Sequence, residues 1–475
     1  MKKKKDYFKF IEKIRDTISP SIISEISSSY LSEPRGLYWN ESLHIIKPRS
    51  TKEVSDCLRL ATKYKIGVVP WSGGTGLVGG QIALDKYHVT LSLEKMNKIR
   101  NFSSINQSIE VEAGVILESV HEFVGKKSFL FPLSMASKGS CCIGGNLATN
   151  AGGIGVLKYG NARDLCLGLE VVLADGSIIN DIKTLKKDNT GYDLKNLFIG
   201  SEGSLGIITR AVLRLFPALE NRIVAFFGVP NFNSALKSYI EISRRFGQSL
   251  QAFELISDEG LKFLEETKMV QSAVKKNRSQ WYLLVELGFN SNFMEQDVFE
   301  TLDDLHNRKI ILDVILGDTE SKAKKLWKMR EDIPEANKKV GAISSHDISL
   351  PLENMESFIN KSLNEIKKIN RFLRVNCFGH MGDGNLHFNI FPPHKESNSR
   401  YMDIKPKLIE IINNNCKSLE GSISAEHGVG RLKVKDLKQY CDPGKFDVIC
   451  QIKKAIDPLG LMNPGVILRQ HTHEK

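Results

Sequence analysis

The 475-residue chain has no run approaching the roughly 18 consecutive apolar residues of a membrane span; even the apolar stretch 168–174 is cut by Glu170 and closed by Asp175. A transmembrane segment is therefore not expected. Cysteine is sparse. The eight residues Cys57, Cys141, Cys142, Cys166, Cys377, Cys416, Cys441 and Cys450 include no Cys-x-x-Cys pair, which predicts reduced thiols in a cytosolic protein. The basic start Lys2–Lys5 is followed by neither an apolar core nor a small-residue cleavage site, so a secretory signal is not expected. Internal repeats and low-complexity tracts are missing too.

An acidic excess is also lacking. Lys and Arg outnumber Asp and Glu 66 to 55, a net charge of +11. The excess is scattered beyond Lys2–Lys5 and no basic stripe alternates with aromatics, so a nucleic-acid partner is not expected. Such a field reads as solvated surface, or as one that draws in an anionic substrate or acidic partner. What is present is ordinary globular material: 41% hydrophobic and 25% charged residues, enough chain for two or three domains.

Phe8, Ile11, Ile14 and Ile18 recur at helical spacing until Pro20. A βα unit follows over 45–69, its helix begun near Ser50-Thr51 with Glu53 at the far end of a capping box. Glycines then concentrate in 73–80, 139–160 and 200–206. Near Pro217 the pattern changes to regular β–α alternation: strands at 222–229, 281–289 and 310–316, helices at 232–245 and 319–330, and a hairpin of 371–379 and 385–391 joined by Gly382-Asp383-Gly384. Helical patterns close the chain. The expected division is a helical segment 1–36, a ligand domain 37–217, an α+β domain of ferredoxin-like texture 218–420, and a C-terminal segment 421–475.

The run Pro70-Trp71-Ser72-Gly73-Gly74-Thr75-Gly76-Leu77-Val78-Gly79-Gly80 offers backbone amides with no side chains in front of them, as a pyrophosphate cradle requires. Gly74, Gly76 and Gly79 spell G-x-G-x-x-G, and Glu94 lies where a ribose-binding acid would sit. A Rossmann unit must open a helix there, however, and Gly79-Gly80 disfavour one. Further glycine loops at Lys138-Gly139-Ser140, Ile143–Gly153 and Ile199–Thr209 each suit a turn; together they predict a large ligand.

The strings Phe131–Asn150, Gly168–Gly176, Asp188–Leu194 and Ile199–Thr209 resemble the FAD-linked oxidoreductases of the vanillyl-alcohol oxidase fold, within them the D-2-hydroxyacid dehydrogenase group: 2-hydroxyglutarate and lactate dehydrogenases and the glycolate oxidase flavin subunit. The resemblance covers nearly the whole chain. It implies an α+β protein with a two-part FAD-binding domain of PCMH type, a ferredoxin-like substrate or cap domain, and a helical C-terminal segment returning to the FAD site. It puts the 73–79 loop, with Gly73, Gly74, Thr75, Gly76 and Gly79, at the pyrophosphate, and Pro70 and Ser72 also against the cofactor. Around the rest of the cofactor it places Pro132, Gly139, Ser140, Ile143, Gly144, Gly145, Asn146, Thr149, Asn150 and Gly153, together with Glu202, Gly206, Ile207 and Ile208. Asn463 joins from the C-terminus. Covalent-flavin members carry a His in the first glycine loop; Thr75 in that stretch implies non-covalent FAD.

In the 385–391 strand Leu386, Phe388 and Ile390 point one way, His387 and Asn389 the other, so the hairpin can bring His380 and His387 together on one polar face. With Glu426 of Ala425-Glu426-His427-Gly428 they make a His₂Glu set suited to catalytic zinc, although a single His is more often structural. The resemblance assigns His380, His387 and Glu426 to a divalent metal, His427 as base and substrate contact, and Arg330 and Asn389 to the substrate, with Arg330 on its carboxylate. Hydroxyglutarate dehydrogenases typically have a Thr four residues after that Arg and a Lys two before the Asp of the following strand. This chain has Pro334 and Ser345.

The implied reaction is oxidation of a D-2-hydroxy acid, hydroxyglutarate first and D-lactate or glycolate second, by hydride transfer to flavin N5. The implied partners are that acid and an electron acceptor such as an electron-transfer flavoprotein or a quinone, with oxygen as acceptor if the protein is an oxidase and a homodimer as one mode of assembly. The expected address is the cytoplasm, with peripheral attachment to the inner face of a membrane as an option.

Overall fold

The computed structural model describes residues 2–270, 278–290 and 294–469. The described residues form two units, the first from 2–152, 160–218 and 426–469, the second from 153–159 and the described part of 219–425.

In the first unit, helix Lys2–Thr17 buries Tyr7, Phe10, Ile11 and Ile14. Helix Thr51–Tyr64 is capped by Ser50, whose side chain accepts from the Glu53 amide, and it buries Val54, Cys57, Leu58 and Ala61. Both pack into one core with the sheet Ile23–Glu25, His44–Ile46, Val89–Ser92, Val68–Trp71. A second sheet runs Ile99–Ser103, Ser108–Glu112, Ile207–Arg214, Cys166–Val172, Ile178–Asp181. The glycine-rich stretch after Trp71 forms turns and no helix, so the Rossmann alternative falls.

The second unit is built on a seven-stranded antiparallel sheet in the order Val314–Gly317, Asn221–Val229, Trp281–Phe289, Leu250–Ser257, Arg374–His380, Asn385–Phe391, Ser344–Ser349. Strand alternation sends Phe253, Leu255, Leu386, Phe388 and Ile390 into a large core shared with helices Phe232–Phe246 and Met355–Ile369. The opposite face packs Ile256, Leu284 and Phe378 against helices Asp258–Glu266, Glu320–Glu331 and Ile333–Val340. At its centre that second face turns polar, and the candidate chemistry lies there. Among the described residues no helix is long and apolar enough to cross a membrane.

Candidate active site

The candidate dinucleotide cradle in the first unit starts from backbone need. Gly73 lies so close to the 139–142 turn that an added Cβ would sit 2.3 Å from the Ser140 carbonyl oxygen, and the Gly145 amide donates to Ser72 Oγ at 3.0 Å. Ile143 and Gly144 spend their amides on Val115 and Ala113 carbonyls, so the start of the short helix Ile143–Ala148 is occupied by protein. The amides of residues 73–77, by contrast, donate to no acceptor among the described residues. These are the donors a pyrophosphate needs.

Two buried groups also await a partner. Asn146 Nδ2 and Asn463 Oδ1 have no hydrogen bond, while Asn463 Nδ2 donates to the carbonyls of Gly80 at 2.9 Å and Glu202 at 2.7 Å. Buried amides left half-paired are costly unless a guest completes them. The residues therefore fit a dinucleotide-sized ligand. Pro70 packs over Gly203, Thr149 donates to the Gly145 carbonyl, and Asn150 Oδ1 accepts from the Arg163 amide. Pro132, Ile207 and Ile208 are buried, Gly206 lies against Val171, and Gly139 and Ser140 are exposed. Gly153 belongs to the segment grouped with the second unit. Glu94, the Rossmann alternative's ribose acid, instead pairs with Lys47 and Tyr30.

Glu202 performs a task its glycine-loop setting did not reveal. Its carboxylate accepts from the amides of Val429 at 2.7 Å and Gly430 at 2.8 Å, fixing the turn just after His427. Burial pushes its carboxyl up from 4.5 to about 7, against those two amide bonds. A raised carboxyl favours the protonated folded state, so this contribution is complete below pH 4.5 and lost as pH rises through 7. The stability advantage of wild type over Glu202→Gln should therefore shrink by about 3 kcal/mol between pH 4.5 and 7. Thermal unfolding of both proteins across that range checks this, and a constant difference would contradict it.

In the second unit, antiparallel pairing sets His387 opposite Phe378 and Glu254 opposite His380. The imidazoles of His380 and His387 have centroids 5.7 Å apart. Gly384, at φ +81° with its Cα against the Leu350 carbonyl, makes the tight turn possible. His380 and His387 thus stand side by side on one face of this unit's sheet. The Ala425 amide donates to the Asp347 carbonyl at the end of this unit's chain. Two imidazoles at this spacing can serve a divalent cation.

Glu254 Oε1 meets His380 Nδ1 at 2.6 Å, and its Oε2 takes Arg330 Nε at 2.8 Å and Nη2 at 2.7 Å. Burial opposes this charge, but His380 and Arg330 hold the carboxyl down to about 2. With Nδ1 as donor to Glu254, Nε2 of His380 would carry the lone pair that a ligand needs. Asp347 Oδ1 stands 3.7 Å from His387 Nδ1 and accepts from Asn385 Nδ2 at 2.9 Å. The Arg330 guanidinium stacks 4.7 Å over the Phe378 ring. Asn389 is buried on the same face as His387 and donates to the His387 carbonyl at 3.3 Å. Burial raises Asp383 to about 6 beside this group.

The sequence reading did not single out Glu254 or Asp347. A signal was present for Glu254: one carboxylate in the apolar run Phe253-Glu254-Leu255-Ile256 must be paired to be buried.

A glycine-lined dinucleotide cradle and a separate α+β unit bearing a buried His, Glu and Arg cluster define a flavin-dependent oxidoreductase. Residues 42–181 match the family described as FAD binding domain, and residues 218–467 match FAD linked oxidases, C-terminal domain. The chain belongs to the FAD-linked oxidases, as an FAD-dependent D-2-hydroxyacid dehydrogenase.

It is 36% identical to the probable mitochondrial D-2-hydroxyglutarate dehydrogenase of Oryza sativa subsp. japonica over 92% of this chain and 77% of the relative. It is 34% identical to a putative mitochondrial D-lactate dehydrogenase of Schizosaccharomyces pombe over 96% and 86%. Its fold matches p-cresol methylhydroxylase with a TM-score of 0.75 at 14% identity, covering 98% of this chain and 97% of that one. These relatives correct one expectation. The hydroxyacid dehydrogenases it resembles are named as mitochondrial, so the cytoplasmic assignment does not stand. Free thiols report a reducing environment, not an address.

Proposed function

We propose that the protein oxidises a D-2-hydroxy acid, 2-hydroxyglutarate first, to the 2-oxo acid, using FAD and a divalent cation. Zinc is the cation that two imidazoles and a carboxylate suit best. The observation that carries the reading is the pair of imidazoles His380 and His387, with Arg330 tied to the same sheet face. The hydroxyglutarate dehydrogenases among the relatives support the choice of acid. When bound, FAD supplies a hydride acceptor at N5 and the cation supplies a Lewis acid that strengthens the acidity of a hydroxyl.

The chain's own residues do the rest. Nε2 of His380, His387 and the Glu426 carboxylate would hold the cation. The planar fork of Arg330 is suited to the C1 carboxylate, and the Asn389 amide to a further substrate oxygen. His427 takes the C2 hydroxyl proton on an imidazole nitrogen, in the pH range where imidazole serves as a base.

One observation favours a second reading. Pro334 and Ser345 are both exposed, and Ser345 stands opposite Asn389 in the strand pair. A distal carboxylate would find no donor from Pro334 and no cation from Ser345, which favours D-lactate or glycolate. An anaerobic screen of D-2-hydroxyglutarate, D-malate, D-lactate and glycolate tests the choice. The first reading expects hydroxyglutarate to have the highest kcat/KM, and a clear preference for a monocarboxylate would replace it with the second.

Arg330→Lys should raise the half-saturating substrate concentration about tenfold with less effect on kcat, because a point charge replaces a bidentate fork. Steady-state kinetics with an artificial acceptor measures this, and an unchanged KM would count against Arg330 as the carboxylate's partner.

A further inference from the structure

We propose that Glu254 is a positioning residue whose single carboxylate ties the cation site to the substrate-carboxylate site. The inference rests on the roles just given to His380 and Arg330. Glu254 sits mid-strand with its side chain only 1% exposed, so water cannot stand in for either partner. Its two oxygens divide the work: Oε1 meets Nδ1 of His380 at 2.6 Å, and Oε2 takes both Nε and Nη2 of Arg330 at 2.8 and 2.7 Å. Register makes this pairing structural, since Glu254 and His380 face each other across neighbouring strands.

Both partners come to Glu254 as donors. Arg330 can only donate, and His380 must donate from Nδ1 if Nε2 is to present a lone pair to a cation. A carboxylate accepts from both at once, but a carboxamide cannot. In Glu254→Gln one partner would face an NH₂ group. His380 must then adopt the tautomer whose Nδ1 accepts, leaving Nε2 protonated and unable to ligate, or Arg330 must swing off its acceptor. Asp347 gives His387 a looser version of the same support at 3.7 Å. Glu254 thus gives the cation's ligand and the guanidinium a shared anchor.

The test uses full-length, FAD-loaded protein stripped of metal, with Zn²⁺ alone as the probe in equilibrium dialysis. It compares wild type, His380→Ala, Glu254→Gln and Glu254→Asp, and measures substrate KM on the Zn²⁺-reloaded proteins. Glu254→Gln should bind Zn²⁺ roughly ten- to a hundredfold more weakly and raise KM as well, with FAD content unchanged. Glu254→Asp keeps two acceptors on a shorter stem and should recover part of both properties. It also carries the test if the Gln variant does not fold.

Zn²⁺ affinity within twofold of wild type in both Glu254 variants, with binding lost in His380→Ala, would overturn the role of Glu254 and leave the proposed function standing. A change in Zn²⁺ affinity alone, or in KM alone, would overturn the tie. Undiminished Zn²⁺ binding by His380→Ala would remove the cation site itself, and this inference with it.

Discussion

Replacing His427 by alanine is expected to slow anaerobic reduction of the flavin by its D-2-hydroxy acid about two to four orders of magnitude, the usual cost of a lost general base. FAD and metal content should be unchanged. The residue follows Glu426 directly, and the turn beyond it is fixed by the Glu202 carboxylate on the Val429 and Gly430 amides, with Gly428 at φ +78°. An imidazole held by such a turn can be removed without moving its neighbours. Rapid mixing with substrate measures the rate, and reduction at the wild-type rate would remove His427 from the mechanism.

His387→Ala should have an effect of similar size by another route. Loss of one of three ligands should empty the cation site, and a Lewis acid contributes several kcal/mol to such a step, or roughly three orders of magnitude in rate. The protein should stay yellow, because the unused amides of residues 73–77 and the half-paired Asn146 and Asn463 belong to the other unit. Asp347 keeps its bond from Asn385, so the substitution leaves no unpartnered buried carboxylate. Metal analysis and flavin reduction on one preparation check both halves, and full metal content or full rate would contradict the assignment.

Much of this site is legible in the residue pattern, for identifiable reasons. A strand's period of two put His387 and Asn389 on one face, and Gly382-Asp383-Gly384 marked the turn that brings His380 back beside them. The adjacent glycines 79 and 80 argued against a helix, and none forms.

Partnership across strands was less legible. Periodicity says which face a residue occupies but not what stands opposite, so the pairing of Glu254 with His380 emerged only from the sheet register. Nor does the sequence mark 153–159 as a segment grouped with the second unit: its short helix packs on the Leu250–Ser257 strand, with Leu157 filling the space over Gly382. Glu202 was legible only as a member of a glycine loop. Its bonds go to amides more than two hundred residues away, and amides leave no trace in side-chain pattern.

The central claim is that a flavin and a divalent cation act on the same C–O bond of a D-2-hydroxy acid. Its most direct test is anaerobic bleaching of the flavin by D-2-hydroxyglutarate, protiated and deuterated at C2, in metal-stripped and Zn²⁺-reloaded protein. The account predicts rapid bleaching only after reloading, slowed by deuterium; equally fast bleaching of the metal-stripped protein would contradict it.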